Sequence, residues 1–197
     1  GTPEDPVRRG AGRKGYGGPT GVNNDPMRQP DEKLRALNQG EIIPGPVDQV
    51  YCTKWGTTRP GEMYIIGAHM DGHGWGEAAN DNASGTALVM ELARILSSPD
   101  VITERSIRFA LWNNEETGLQ GAEAYVEQRA ALQGIEEPAG SGRYPEPRWV
   151  GMIQHDMMMW DHGNPVQWDQ AKDADVDIEF QLASAKADES AALALEL

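Results

Sequence analysis

Residues 67–85, GAHMDGHGWGEAANDNASG, decide how this chain folds and where its chemistry lies. The stretch is rich in glycine and holds two histidines and two aspartates. It overlaps the end of MYIIGA, residues 63–68, whose apolar run predicts a buried strand. The chain therefore leaves its core and at once places His69, Asp71 and Asp81 in one loop, which indicates a site at the end of that strand.

A regular alternation of strand and helix patterns surrounds this stretch. Period-2 and helical spacing of apolar residues distinguish the two kinds of element. In the first predicted helix, Glu91 and Arg94 face out, and the apolar residues at helical spacing, expected to face the core, are Leu88, Leu92, Ile95 and Leu96. The predicted strands lie at 50–55, 62–68, 106–112, 149–155 and 177–182, and the predicted helices at 84–97, 119–129 and 185–197.

Strands that alternate with helices predict a parallel sheet that is covered on both faces. In such sheets, ligands bind beyond the carboxyl ends of the strands. His69 follows one predicted strand, residues 113–116 follow the next, and Asp156 ends the third. Three strands therefore deliver metal-binding types of side chain to the same rim.

The motif NNEETG, residues 113–118, places two glutamates side by side between a strand and a helix. Adjacent side chains diverge, so Glu115 and Glu116 are expected to do different work, one at a metal and the other toward a substrate. A helix N-terminus also favours acidic residues through its dipole, and this explanation stays open for the motif alone.

The other polar residues of the rim also have ordinary explanations when they are taken singly. Asp81 could be a helix N-cap, and Asp156 a capping or turn residue. His73 could touch substrate, but a surface position is favoured. The spacing of His69 and Asp71 is that of a metal-binding imidazole and the carboxylate that orients it. Their joint occurrence at successive strand ends favours a metal site, and imidazole with carboxylates suits zinc.

Composition narrows the possible functions. The 197 residues are enough for one domain with a core. A net charge of -14 argues against a nucleic-acid partner, because phosphates would be repelled. No apolar run approaches the ~20 residues of a membrane span.

The single Cys52 excludes an internal disulfide and is expected to fill core space. Residues 1–45 predict an extended, partly mobile segment with one short helix near residues 31–37.

Four motifs, YIIGAHMD, NDNASG, NNEETGLQGA and IQHDMM, resemble the co-catalytic di-zinc aminopeptidase family in their order and separation. These zinc exopeptidases are related to secreted bacterial leucine aminopeptidases and glutamate carboxypeptidases. The resemblance implies an α/β fold, a three-layer α/β/α arrangement with a mostly parallel mixed central sheet. It also implies that residues 46–197 form a zinc peptidase catalytic domain, and that the protein is secreted or periplasmic.

The resemblance also assigns roles to residues of this sequence. It implies two Zn2+ ions in the intact domain. By this resemblance, His69 and Asp156 are ligands of the first zinc, and Asp71 is the partner of His69. Asp81 bridges both ions, and the peptide bond from Asp81 to Asn82 is cis. Glu115 is the general base, and Glu116 is a ligand of the second zinc.

One ligand of the family pattern has no counterpart here, the histidine of the second zinc near the C-terminal end of the domain. The resemblance therefore implies that the chain is C-terminally truncated. His155, His162 or His73 could substitute for the missing ligand, and nothing in the sequence chooses among them.

The function that the resemblance implies is hydrolysis of the N-terminal peptide bond of a peptide substrate by a zinc-bound water. Two alternatives stay open, glutaminyl cyclisation at a single zinc and a non-catalytic receptor ectodomain of the same fold. The sequence leaves open the choice between aminopeptidase and carboxypeptidase, the preferred side chain and the oligomeric state.

Overall fold

The computed structural model describes residues 25–38, 46–73, 78–159 and 187–196. A short 3-10 turn at Pro26–Arg28 precedes the first helix, and another at Ala130–Leu132 follows the third. The strands are β1 (Val50–Lys54), β2 (Arg59–His69), β3 (Arg105–Trp112) and β4 (Arg148–Gln154), and the helices are α1 (Glu32–Asn38), α2 (Gly85–Leu96), α3 (Gln120–Arg129) and α4 (Ala187–Glu196).

The four described strands form one mixed sheet in the order β1-β3-β2-β4. Strand β2 pairs in parallel with both β3 and β4, whereas β1 runs antiparallel to β3 at the edge. His69 lies opposite Trp112 and Gly67 opposite Gln154, so β2, β3 and β4 end at the same edge of the sheet. This common edge is the rim that the sequence predicted.

Helices cover both faces of the sheet, which confirms the three-layer α/β/α prediction. On one face, Tyr125 of α3 packs with Met63, Ile65 and Trp112. On the other face, Val89 of α2 packs with residues of β2 and β3, including Ala68 and Phe109. The alternation of buried side chains along β2 and β3 supplies both cores, because successive residues of a strand point to opposite faces.

Two predictions about burial are wrong. Ile95 is 45% exposed, because the stripe of α2 that contacts the sheet runs through Val89, Leu92 and Leu96. Cys52 is exposed, since it lies on the edge strand β1, beyond the two strands against which α2 packs.

The other element predictions agree with the structure within a few residues at each boundary. The strand predicted at 177–182, and most of the N-terminal segment at 1–45, lie outside the described residues. Within the described ranges, no helix combines the length and the apolar character needed to cross a membrane.

A buried ion pair between Arg108 and Glu146 lies under α3, and none of the predictions from the sequence included it. Arg108 of β3 is 3% exposed and Glu146 is fully buried. The Glu146 carboxylate accepts hydrogen bonds from Arg108 Nη1 at 2.7 Å, Tyr125 Oη at 2.6 Å and Trp149 Nε1 at 2.5 Å. These contacts satisfy a charge that would be costly to bury alone.

Replacing Glu146 with alanine should destabilise the fold strongly. The change leaves the Arg108 guanidinium buried without its carboxylate, and breaking a buried pair in this way costs about 3–5 kcal/mol. The matched control is Glu91→Ala, which removes an exposed ion pair with Arg94 on α2 and should barely shift the unfolding midpoint. Urea unfolding monitored by circular dichroism measures both changes. Equal midpoints for the two variants would contradict the role given to Glu146.

Candidate metal centre

Three of the predicted ligands meet at the rim. The imidazole of His69, at the end of β2, has a side chain that is 1% exposed. Its Nε2 lies 3.0 Å from Asp81 Oδ1 and 3.4 Å from Asp156 Oδ1. One ligand atom from each of the three residues lies within 4.8 Å of the others. Asp81 and Asp156 are about half exposed, so the cluster opens to solvent.

Asn82 ties the two aspartates of this cluster together, a role that the sequence prediction did not include. It is buried, its Nδ2 donates to the backbone oxygen of His155, and its Oδ1 accepts from the N–H of Gly85, each at 2.9 Å. The residues next to Asp81 and Asp156 are thereby joined. A Cβ on Gly85 would collide with both Asn82 and His155, so only glycine fits there.

The turn that carries Asp81 has the backbone feature that the resemblance implied. Residues Ala79–Ser84 form a helical turn that is interrupted at Asp81 and Asn82, where the dihedral angles are not helical. The peptide bond between Asp81 and Asn82 is cis. Asp81 is therefore not an ordinary N-cap, and α2 begins four residues after it.

Asp71 joins the imidazole to the loop after β3. Its Oδ1 lies 3.5 Å from His69 Nδ1, and its backbone oxygen is closer, at 3.1 Å from the same nitrogen. The Asp71 carboxylate also accepts the N–H groups of Glu115 at 3.0 Å and Glu116 at 3.2 Å. Burial raises the pKa of Asp71, but His69 and the two N–H groups outweigh this and hold the pKa below its usual value.

The carboxylates around His69 favour a positive charge on its imidazole. Burial lowers the pKa of His69, yet hydrogen bonds to Asp156, Asp71 and Asp81 outweigh burial and raise the pKa to about 12. Without a metal, a proton on the imidazole balances these carboxylates. A divalent cation bound at Nε2 can take the place of that proton, since metal binding releases protons from its ligands.

Glu116 lies beside this cluster with one unsatisfied oxygen. Its Oε1 is buried and has no hydrogen-bond partner among the described residues. Burial and the negative charges of Asp81 and Glu115 raise the pKa of Glu116 to about 7. His73, for which the sequence favoured a surface position, is only 24% exposed, and its Nδ1 lies 3.7 Å from Glu116 Oε2. His162 lies outside the described residues.

When metal is chelated, the free energy of unfolding should depend on pH through the raised pKa of Glu116. The pKa of Glu116 rises from 4.5 to about 7 on folding, so its contribution to stability falls as pH rises through this window. Glu116→Gln removes that titration. In the presence of EDTA, the free energy of unfolding of the variant minus that of the wild-type protein should therefore increase from pH 5 to pH 8. Urea unfolding at both pH values measures the difference, and a constant difference would contradict the assigned pKa.

The donor set suits a zinc-type cation. One imidazole nitrogen and two carboxylate oxygens converge on one point, and zinc binds such nitrogen and oxygen ligands at about 2.0–2.2 Å. The unsatisfied oxygen of Glu116 adds a further donor nearby. The described residues thus fit a metal centre that keeps an open position toward solvent.

Comparison with known proteins points to peptidases. The family described as Peptidase family M28 matches residues 50–194. The chain is similar to the probable lipoprotein aminopeptidase LpqL of Mycobacterium tuberculosis, with 37% identity over 125 residues, which are 62% of this chain and 22% of that protein. It is also similar to the aminopeptidase YwaD of Bacillus subtilis, with 39% identity over 66 residues, 34% of this chain and 14% of that protein.

Two further similarities widen the comparison. Transferrin receptor protein 2 of Mus musculus is 30% identical over 101 residues, which are 50% of this chain and 12% of that protein. The solved aminopeptidase from Aneurinibacillus sp. strain AM-1 is 32% identical, with a TM-score of 0.43 over 56% of this chain and 24% of that one. The chain thus spans about a quarter or less of the length of each of these relatives.

Proposed function

Because the chain belongs to peptidase family M28, we propose that it acts as a zinc-dependent exopeptidase. The activity proposed is that of an aminopeptidase, which hydrolyses the N-terminal peptide bond of its substrate. The single observation that carries the proposal is the convergence of His69 Nε2 with carboxylate oxygens of Asp81 and Asp156 at the rim of the sheet.

The proposed metal ligands divide into two sets. His69, Asp81 and Asp156 would hold the first zinc, and Asp81 would bridge to a second zinc that Glu116 also binds. Zinc held there would lower the pKa of a bound water toward ~7 and act as a Lewis acid toward the scissile carbonyl. Asp71 would fix the orientation of the His69 ring, with support from its position 3.5 Å from Nδ1 and from its bonds to the loop after β3.

Glu115 is the proposed general base. It would take a proton from the attacking water and pass it to the leaving amine, so that one carboxyl group acts first as base and then as acid. Its backbone is held by the hydrogen bond from its N–H to Asp71 Oδ1 at 3.0 Å. This bond supports the assignment, because it fixes the loop next to the proposed ligands rather than leaving it to solvent.

The relatives support a proposal for the substrate class and for the location. The names of the bacterial relatives favour an aminopeptidase over a carboxypeptidase, with a peptide as substrate. A secreted or periplasmic location is proposed for the same reason, since one relative is named a lipoprotein aminopeptidase. Residues 46–197 are the proposed catalytic part, and residues 1–45 are proposed to lie outside it.

A non-catalytic binding domain is the second candidate, because part of the chain is similar to transferrin receptor protein 2. The two candidates differ in whether the metal ligands are needed, because a binding domain can function without them. The close approach of His69, Asp81 and Asp156 favours the enzyme. A single-zinc glutaminyl cyclase would share the first set of ligands and differ in holding one metal ion.

Zinc content and substrate cleavage together test the proposal. The zinc-loaded chain is incubated with leucine p-nitroanilide and, as control, with the N-acetylated anilide. We expect bound zinc and release of nitroaniline from the free amine alone. Zinc at one ion per chain with cyclisation of N-terminal glutamine would favour the cyclase. Absence of both bound zinc and cleavage would overturn the proposed function.

A further inference from the structure

A pocket lies at the amino ends of β2 and β4, at the opposite edge of the sheet from the candidate metal centre. Its volume is about 390 Å³, which is within the range of small-molecule sites in proteins. The residues that line it include Thr58, Arg59, Gly61, Glu62, Tyr144 and Arg148. Strand β2 takes eleven residues to reach His69, and at about 3.3 Å per residue the pocket lies roughly 30 Å from the rim. A small ligand in this pocket would not contact the proposed metal ligands.

Two guanidinium groups give this pocket positive charge. Arg59 begins β2 and Arg148 begins β4, and their side chains are 53% and 59% exposed. Arg148 Nη2 donates to Glu62 Oε1 at 2.8 Å. Arg59 Nη1 lies 3.9 Å from Glu62 Oε2, which is too far for a hydrogen bond. Glu62 therefore does not engage the donors of Arg59 by a hydrogen bond.

The carboxylate of Glu62 is also bound by a third arginine. Arg105 Nε donates to Glu62 Oε2 at 2.6 Å, and Glu104 adds a negative charge near Arg105. Hydrogen bonds from Arg105 and Arg148 hold the pKa of Glu62 below its usual value, so Glu62 is a carboxylate. The three guanidinium groups, with five N–H donors each, still outnumber the two carboxylates. The pocket thus has an excess of positive charge on a chain whose net charge is -14.

The ring of Tyr144 forms one wall of the pocket and is held in place at two points. A Cβ on Gly61 would lie 2.9 Å from Cζ of this ring, so the ring packs closely on β2 only because residue 61 is glycine. The Tyr144 hydroxyl donates to Glu136 Oε1 at 2.9 Å. An aromatic wall beside a few polar groups is the composition expected of a ligand site.

We propose that this pocket binds a small ligand that carries a carboxylate or phosphate group, held by Arg59 and Arg148 beside the ring of Tyr144. The guanidinium group presents paired N–H donors that match the oxygens of both kinds of anion. Arg59 contributes most, because its donors are not taken by Glu62. The site uses none of the proposed metal ligands, so its failure would leave the proposed function unaffected.

A purely structural role for the arginines is the other explanation. Glu62 of β2 is joined to β3 through Arg105 and to β4 through Arg148, and these bonds could serve only to hold the strand ends together. Arg59 distinguishes the two explanations, because an exposed pair at 3.9 Å adds little to stability. Replacing Arg59 should therefore weaken anion binding without destabilising the fold.

Nuclear magnetic resonance measures the binding on the unchanged chain. The full chain, labelled with 15N at arginine, is dialysed free of metal, so that no anion binds through an ion, and is titrated with inorganic phosphate and separately with benzoate. We expect at least one anion to shift the Nε resonances of Arg59 and Arg148 saturably. The resonance of Arg94, which pairs with Glu91 on α2, should stay in place. Shifts with neither anion, or equal shifts of Arg94, would overturn the proposal.

Two variants form a matched pair in the same titration. Arg59→Gln should raise the dissociation constant, measured at the Arg148 resonance, by about 10-fold or more, since hydrogen bonds between charged groups are the strong kind. Arg94→Gln should leave the dissociation constant unchanged, and urea unfolding should give Arg59→Gln the midpoint of the unchanged chain. An unaltered dissociation constant in Arg59→Gln would contradict the site. A lowered unfolding midpoint without a change in binding would assign Arg59 to the fold instead.

Discussion

Asp81→Ala should remove both zinc ions and abolish peptide hydrolysis. Asp81 lies 3.0 Å from His69 Nε2 and acts electrostatically on Glu116, so it is the residue that both proposed sites share. Removing a ligand common to two ions deprives each of a charged donor, whereas loss of an outer partner such as Asp71 typically lowers metal affinity only 10–100-fold. Metal analysis after dialysis and the anilide assay measure the two effects.

The control for this variant is Asp100→Ala, which removes an exposed aspartate between α2 and β3. It should keep the zinc content and activity of the unchanged chain. Asp81 is about half exposed, so its replacement is not expected to unfold the protein, and circular dichroism verifies this. Full zinc occupancy in folded Asp81→Ala would rule out the bridging role.

Glu115→Gln should leave both zinc ions in place and slow hydrolysis by about 10²–10⁴-fold. Glutamine keeps the shape of the side chain and cannot take the proton from the attacking water. The backbone N–H of residue 115 still donates to Asp71, so the loop should keep its position. The measurement is kcat with leucine p-nitroanilide, with zinc content determined on the same sample.

The control is Glu123→Gln, an exposed glutamate in the first turn of α3, which should not change kcat. A fall in kcat together with a loss of zinc would assign Glu115 to metal binding. Activity close to that of the unchanged chain would remove Glu115 from the proton transfer altogether.

The layers of the fold could be predicted from the sequence because both sheet faces have apolar partners in clear patterns. The strand SIRFALW alternates, and Ile107, Phe109 and Leu111 contribute to the core under α2 as the period-2 pattern predicts. The position of β1 could not be predicted. It pairs antiparallel with β3 rather than with its sequence neighbour β2, and the pairing of distant segments leaves no local pattern.

The first metal cluster was predictable for a related reason. Parallel strands end at one edge, so polar residues at or shortly after the ends of β2 and β4 are brought together by the topology. His69, Asp81 and Asp156 meet there. The contact of His73 with Glu116 depends on how one loop folds back, and neither residue lies in a periodic pattern.

The buried ion pair of Arg108 and Glu146 could likewise be predicted only in part. Arg108 lies on the β3 face that also holds Ala110 and Trp112, and an arginine on a covered face requires a buried acidic partner. The sequence therefore contains a signal that a partner exists. Its identity does not follow, since Glu146 lies in a loop 38 residues away.

The most direct test of the metal centre is the anomalous scattering of crystals of the zinc-loaded chain, recorded above and below the zinc absorption edge. We predict a peak about 2.0–2.2 Å from His69 Nε2 and from a carboxylate oxygen of both Asp81 and Asp156. An anomalous map without a peak at these three residues, or with zinc bound only elsewhere on the protein, would contradict the account.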